Sequence, residues 1–229
     1  MRRSVHASAY ISSLHCGIFV VLSHLDFLRN STSEIVRQLA TNIFAEGYIG
    51  VTFFFILSGF ILSQAYSCRL PTSGGEIHDF CVARLARVVP LHLLTVAASI
   101  PLFVLEIKHS YGLEAVVQLS VNAALLQSFV PCPSWYFSFN APSWSLSVEL
   151  MFYALFPLLA LVSNRNLIFL PGITLLAKIC LFGFAPQFYD HFLQYIFPPL
   201  RLPDFVVGIL ASRLFGIVKF SNVQAGGYV

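Results

Sequence analysis

A single histidine lies late in an apolar run near the start of the sequence. His24 falls inside the run 14–28. A helix that enters a membrane near Leu14 and rises 1.5 Å per residue carries His24 about 15 Å deep, near the midplane. A histidine there could take a proton from a hydroxyl group near neutral pH. Taken alone, this stretch favours a histidine that forms hydrogen bonds between helices.

A carboxylate lies inside a second apolar run, at residues 144–162. On a helix, the spacing of Pro142, Ser145, Glu149, Phe152 and Tyr153 places these residues on one face. Burying a carboxylate in lipid costs several kcal/mol, so packing alone is a poor explanation for it. The glutamate therefore indicates a proton carrier, an ion site or a catalytic partner.

Two arginines stand three residues apart just before a third apolar run. Arg84 and Arg87 would share one face of a helix that enters the membrane. Two guanidinium groups on one face could bind phosphate groups. They could instead serve only as a cytoplasmic anchor, because arginine is frequent at that boundary in many membrane proteins.

A serine and a glycine interrupt the apolar run 47–66. Ser58 and Gly59 are small enough to let another helix approach closely. Helix packing is the favoured interpretation of this stretch by itself.

Membrane-spanning helices must position these side chains. Of 229 residues, 57% are hydrophobic and 10% are charged, against roughly 45–50% and 25% in soluble domains. This composition excludes a soluble domain and a disordered chain. A net charge of +3 on so few charged residues also argues against a nucleic-acid partner. The bilayer is therefore the expected environment.

The apolar runs are too long for core strands and do not alternate, so they predict helices. We expect an all-α, polytopic transmembrane helix bundle of about seven spans. The prolines are expected to mark many of the helix ends. The weakest window contains four polar residues and would be interfacial or buried in the bundle. The windows are 14–28, 47–66, 88–105, 112–130, 144–162, 167–185 and 193–217.

The distribution of basic residues favours one orientation. Arg2 and Arg3 would lie on the same side as the polar connection 67–87, which contains three further arginines. The positive-inside rule places that side in the cytoplasm. The five cysteines are scattered without metal-ligand spacing, so no metal site is expected.

The ordered motifs resemble those of the acyltransferase type 3 family of integral membrane acyltransferases, which includes O-antigen and exopolysaccharide O-acetylases. The match begins with the first-span histidine, His24. It continues with Gly-Val-x-x-Phe-Phe-x-Leu-Ser-Gly-Phe at 50–60, Arg-x-x-Arg-x-x-Pro at 84–90, Pro-Ser-Trp-Ser-Leu-x-x-Glu-x-x-Phe-Tyr at 142–153, and Arg-Leu-Pro-Asp-Phe at 201–205.

The resemblance implies transfer of an acyl group, commonly acetyl, from acyl-CoA to a hydroxyl of a carbohydrate or lipid-linked glycan. It assigns His24 as general base and Glu149 as a catalytic residue. Arg84 and Arg87 correspond to the acyl-CoA side, and the motif at 142–153 adds Trp144 and Ser145 to substrate binding. It implies no metal and no cofactor beyond the donor substrate. It also implies a multi-pass protein of the bacterial inner membrane.

The resemblance implies further spans after residue 210, whereas the tail 221–229 is polar and short. We therefore expect residues 1–229 to form one membrane domain that is incomplete at its C-terminus. The first span also departs from the family pattern, because Ser12, Ser13, Leu14 and His15 occupy the region where an arginine is usual.

A second function remains open from the sequence. The same histidine, glutamate and arginines could form a buried polar network in a non-catalytic scaffold or a proton-coupled transporter.

Overall fold

The computed structural model describes residues 31–42, 47–67, 70–106, 112–184 and 191–225, and no β-strand occurs within these ranges. Three helical segments there are long and apolar enough to cross a membrane, and a fourth apolar helix is shorter: 74–103, 141–161, 164–184 and 49–65. The all-α prediction is confirmed for this part of the chain. The count of about seven spans stays a prediction, and the window 14–28 lies outside the described residues.

The helices are named here in chain order. They are α1 (Glu34–Asn42), α2 (Gly47–Ala65), α3 (Gly74–Glu106), α4 (Leu113–Ala123), α5 (Pro133–Tyr136), α6 (Trp144–Leu161), α7 (Asn164–Leu167), α8 (Phe169–Phe184) and α9 (Pro198–Ala225). Short 3-10 turns occupy Gln127–Phe129 and Ala141–Ser143, and a π-helical turn occupies Phe192–Ile196.

Most of the polar connection predicted at 67–87 is helical, because α3 already begins at Gly74 and contains both Arg84 and Arg87. A reciprocal pair of hydrogen bonds fixes this start. The Glu76 carboxylate accepts from the Ser73 backbone N–H at 3.2 Å, and the Ser73 hydroxyl accepts from the Glu76 backbone N–H at 3.3 Å. This Ser-x-x-Glu capping box satisfies two amide groups that a helix start otherwise leaves unpaired.

The expectation that prolines mark helix ends is wrong at four positions. Pro90 and Pro101 lie inside α3, Pro157 inside α6 and Pro203 inside α9. Membrane helices tolerate interior proline because neighbouring groups and local adjustments satisfy the backbone atoms that proline leaves without a partner. In this composition proline is therefore a weak signal of a helix end.

The weak window 112–130 is not one continuous span. Helix α4 has 11 residues and is about 16 Å long, half the thickness of a bilayer core of about 30 Å. Gln118, Asn122 and Gln127 are nevertheless buried. These three polar residues of the window are therefore internal to the protein.

The chain divides into two compact units, and the first comprises residues 1–67 and 204–229. In this unit α2 meets the last part of α9 through two glycines. A Cβ atom on Gly59 would lie 2.1 Å from the Phe205 carbonyl oxygen, and one on Gly208 would lie 1.9 Å from the Ile56 carbonyl oxygen. The two backbones therefore touch directly, which confirms the packing interpretation of Gly59.

The second unit comprises residues 68–203, and α6 is the most enclosed of the three candidate membrane spans in this unit. Val148, Phe152 and Phe156 of α6 have no exposed surface. The Phe156 ring stacks on Phe80 of α3 with centroids 5.6 Å apart. These contacts bring the helix that contains Arg84 against the helix that contains Glu149.

Candidate active site

Arg84 and Glu149 come together at the contact between α3 and α6, with Tyr153 between them. The Tyr153 hydroxyl donates a hydrogen bond to Glu149 Oε1. The Arg84 Cζ lies 6.0 Å from the centroid of the Tyr153 ring and 5.6 Å from that of Phe80, within the range of a cation–π contact. Glu149 is 6% exposed. One tyrosine therefore contacts both charged groups.

Arg87 contributes to the same site from a more exposed position. Its side chain is exposed, whereas Arg84 is half-buried. Both guanidinium groups interact electrostatically with Tyr153. The pair therefore presents two positive charges at the edge of the α3–α6 contact, where the apolar part of α3 begins. Such a pair can bind an anionic group such as a phosphate.

Trp144 and Ser145 lie at the start of α6, apart from this pair. Trp144 is 4% exposed, and its ring lies 4.8 Å from the Tyr195 ring. The Arg201 guanidinium lies 5.1 Å from the centroid of the same Tyr195 ring. The Ser145 hydroxyl donates to the Pro142 carbonyl at 2.9 Å. The structure therefore places Trp144 next to a second aromatic and basic cluster, whereas the Ser145 hydroxyl bonds to the backbone just before α6.

A ladder of hydrogen bonds sets the position of the α6 N-terminus. Four polar side chains each donate to the backbone carbonyl sixteen residues further along the chain. The pairs are Gln118 to Ser134 at 2.5 Å, Asn122 to Ser138 at 3.1 Å, Gln127 to Ser143 at 3.2 Å and Ser128 to Trp144 at 2.7 Å. This regular offset holds residues 118–128 alongside 134–144.

The ladder also holds two residues in an unfavourable backbone conformation. Leu125 and Phe139 have φ values of 57° and 59°, a left-handed region that costs residues other than glycine roughly 1–2 kcal/mol. Leu125 lies between two rungs of the ladder, and Phe139 directly follows one. The surrounding hydrogen bonds therefore impose these conformations, as is common near functional sites.

Helix α3 is joined to the ladder by a buried histidine. His92 Nε2 lies 2.8 Å from the carbonyl oxygen of Asn122. A second link runs from the Asn140 side-chain amide to the Thr95 hydroxyl at 3.3 Å. The helix with the arginine pair and the segment that leads into α6 are therefore fixed to each other.

Four residues of the site were not predicted from the sequence: Tyr153, His92, Tyr195 and Arg201. Tyr153 and Arg201 lie in the quoted motifs, and His92 could have been found as a polar residue inside the window 88–105. Tyr195 gave no signal, because its role depends on the π-helical turn that positions it. The predicted general base, His24, lies outside the described residues.

We predict that Glu149→Gln lowers the rate of the acyl transfer that the motifs imply by about 10- to 100-fold, the range for removing the charge from a charge-assisted interaction. Glutamine keeps the size of the side chain and can still accept from Tyr153, but it removes the negative charge next to Arg84. Initial rates with purified protein measure the effect. The control is Glu114→Gln, an exposed glutamate on α4, which should retain full activity. Equal rates for both variants would refute a role for the charge of Glu149.

Residues 15–225 match a family model that is described as an acyltransferase domain. Acyltransferase MdmB of Streptomyces mycarofaciens is 33% identical over 93% of this chain and 60% of its own length. YrhL of Bacillus subtilis, provisionally named a peptidoglycan O-acetyltransferase, is 32% identical over 57% of this chain and 22% of its own length.

O-acetyltransferase OatA of Staphylococcus aureus is 28% identical over 54% of this chain and 22% of its own length. This chain thus covers 60% or less of each of these three relatives. No solved structure matches it.

Proposed function

This chain belongs to the acyltransferase domain family, and from that premise we propose that it transfers an acyl group from acyl-CoA to a hydroxyl of a carbohydrate. The observation that carries the proposal is the contact of Arg84, Tyr153 and Glu149 between α3 and α6. It places an anion-binding pair beside a buried carboxylate, at the point where α3 becomes apolar. A donor with a phosphorylated head and a slender thioester arm suits this arrangement.

The donor would bind with its phosphates at Arg84 and Arg87. A guanidinium group offers several N–H donors in a fixed plane, which suits phosphate oxygens better than an ammonium group does. The negative charge of Glu149 and the ring of Tyr153 would hold Arg84 in place when no donor is bound. Arg87, which is exposed, would make the first contact with the incoming phosphates.

The chemical step would use His24. Its imidazole takes the proton from the acceptor hydroxyl as the oxygen attacks the thioester carbonyl carbon. The new C–O ester bond forms, the C–S bond breaks, and the protonated imidazole returns its proton to the CoA thiolate. The products are the ester and free CoA, and the histidine is regenerated.

Acetyl is the acyl group we propose, and a glycan is the acceptor. The names of YrhL and OatA specify acetyl transfer to oxygen, and that of YrhL specifies peptidoglycan. The apolar helices support a site embedded in a membrane. We place the protein in the bacterial inner membrane, where both cytoplasmic acyl-CoA and lipid-linked glycans are accessible.

Lysine substitutions separate phosphate binding from anchoring. We predict that Arg84→Lys and Arg87→Lys each weaken acetyl-CoA binding about 5- to 20-fold, because lysine keeps the charge but lacks the planar fork. Isothermal titration with protein in nanodiscs measures the change in Kd. Arg165→Lys, at an exposed position on α7, is the matched control and should bind normally. An anchor would tolerate lysine, so unchanged affinity in both variants would contradict the proposed role.

The function as a whole is tested with labelled acetyl-CoA. Membranes that contain the protein are incubated with the donor and an extract of lipid-linked glycans. Release of CoA and a labelled, alkali-labile glycan ester are the expected products. A proton-coupled transporter or a scaffold would produce neither. If membranes that contain the inserted protein yield neither product, the proposal is overturned.

A further inference from the structure

The protonation pattern of His92 follows from its single hydrogen bond. Its Nε2 lies 2.8 Å from the Asn122 carbonyl oxygen, which can only accept. Nε2 must therefore carry the proton, and in the neutral ring Nδ1 presents a lone pair. The side chain is 1% exposed, and Nδ1 has no hydrogen-bond partner among the described residues. The side chain thus presents a buried acceptor.

Two residues of the ladder present the same kind of atom. Asn122 Nδ2 donates to the Ser138 carbonyl, and Gln127 Nε2 donates to the Ser143 carbonyl. A carbonyl partner fixes the orientation of each amide, because the flipped amide would place two oxygens together. The remaining oxygens, Asn122 Oδ1 and Gln127 Oε1, are buried and have no partner in the described part of the chain.

The three atoms share one chemical character. All are neutral acceptors, and the donors on the same side chains are already bound to backbone carbonyls. Leaving a buried acceptor without a donor costs about 1–3 kcal/mol. A ligand that satisfies them must bring N–H or O–H groups. A phosphate or carboxylate would be repelled. These three atoms therefore suit an uncharged part of a ligand, whereas the arginine pair suits an anionic part.

The position of His92 relates the acceptors to the arginines. Arg84 and His92 are two turns apart on α3, which is about 12 Å along the helix axis. Both belong to the inward-facing stripe that also includes Phe80, Val88 and Val96. A ligand whose phosphates contact Arg84 and whose remainder follows this stripe into the apolar part of α3 would reach His92.

We propose that His92 Nδ1, with Asn122 Oδ1 and Gln127 Oε1, binds the two amide N–H groups and the hydroxyl group of the pantetheine arm of acyl-CoA. The inference rests on the proposed function, because it assumes a CoA thioester as donor. The pantetheine arm is uncharged and contains two amide groups between its phosphates and its sulfur. In a low-dielectric interior these N–H groups require acceptors, and His92 and the ladder supply them.

Two substitutions separate the ligand contact from the structural one. In His92→Gln, the side-chain amide can reproduce the Nε2 donor to Asn122 but has no acceptor at the Nδ1 position. His92→Asn places a polar atom near Nδ1 and loses the bond to Asn122. The matched control is His78→Gln, an exposed histidine on the same helix. The probes are CoA and adenosine 3′,5′-bisphosphate, which lacks the pantetheine arm.

We expect His92→Gln to raise the Kd for CoA about 3- to 10-fold and to leave that for the bisphosphate unchanged. His92→Asn should retain more CoA affinity than His92→Gln yet unfold at a lower temperature. If His92 had only a structural role, the variant with the lower unfolding temperature would also bind CoA more weakly. His78→Gln should match the wild-type protein in both measurements.

Three results would overturn the inference. Equal CoA affinity in His92→Gln and wild type would show that Nδ1 does not contact the donor. A parallel loss for CoA and the bisphosphate would assign His92 to structure alone. A raised KM for the glycan with unchanged CoA binding would show that the three acceptor atoms bind sugar hydroxyls instead of the donor. Failure of the wild-type protein itself to bind CoA would refute the proposed donor, a result distinct from the other three.

Discussion

Replacing His24 by alanine is expected to lower acyl transfer by about 10²–10⁴-fold, the usual contribution of a general base. Alanine cannot take the proton from the acceptor hydroxyl, and a neutral hydroxyl is a poor nucleophile towards a thioester. Donor binding should change little, because the proposed phosphate contacts lie at Arg84 and Arg87. Initial rates and the Kd for CoA, measured on the same preparation, give the two quantities.

The control for this variant is His78→Ala, which removes an exposed histidine from α3 and should keep full activity. Comparable yields of detergent-extracted protein show that His24→Ala is inserted and folded. Turnover at the wild-type rate in His24→Ala would remove the histidine from the mechanism. It would also remove the strongest reason to place the reaction near the membrane midplane.

Gly208→Ala is expected to destabilise the protein by about 1–3 kcal/mol or more, the range for overpacking a tight contact. The added Cβ would lie 1.9 Å from the Ile56 carbonyl oxygen and 2.8 Å from the Phe60 backbone nitrogen. Both are backbone atoms, so α2 and α9 must separate to make room. Loss of helicity during titration with a denaturing detergent measures the free energy of unfolding.

Gly216→Ala on the same helix provides a control of opposite sign. A Cβ there meets no atom within 4 Å, and alanine is favoured over glycine inside a helix by roughly 1 kcal/mol. This variant should be as stable as the wild-type protein or more so. If both alanine variants unfold alike, the close contact between α2 and α9 does not stabilise the chain.

Hydropathy predicted the helices well where one apolar run of residues corresponds to one helix. The windows 47–66, 144–162 and 167–185 correspond to α2, α6 and α8 within about two residues at each end. The start of α3 could also have been found in the sequence, because Ser73 and Glu76 form a recognisable capping box. The polar residues between them and the apolar window obscured the first turns of this helix.

Hydropathy was a poor guide where polar residues form their hydrogen bonds inside the protein. Gln118, Asn122 and Gln127 lowered the hydropathy of the window 112–130, although all three are buried. Their partners are carbonyl groups sixteen residues further along the chain. The repeat of a helix or a strand does not predict contacts at this separation. Only the folded chain shows that these side chains position the start of α6.

Several residues of the candidate site could be recognised from the sequence alone. The spacing of Arg84 and Arg87, the position of Glu149 inside an apolar run and the order of the motifs indicate the family by themselves. These signals are local, because hydropathy and helical spacing depend only on residues within a few turns of one another.

The tertiary structure decided which of these residues meet. It joined Arg84 to Glu149 through Tyr153, placed Trp144 on Tyr195 instead, and left three neutral acceptors next to the ladder. Residues 84 and 149 are 65 positions apart, so their contact depends on how α3 and α6 pack. That packing follows from the shapes of Phe80, Phe152 and Phe156 and from the ladder that fixes the α6 N-terminus, which no local pattern encodes.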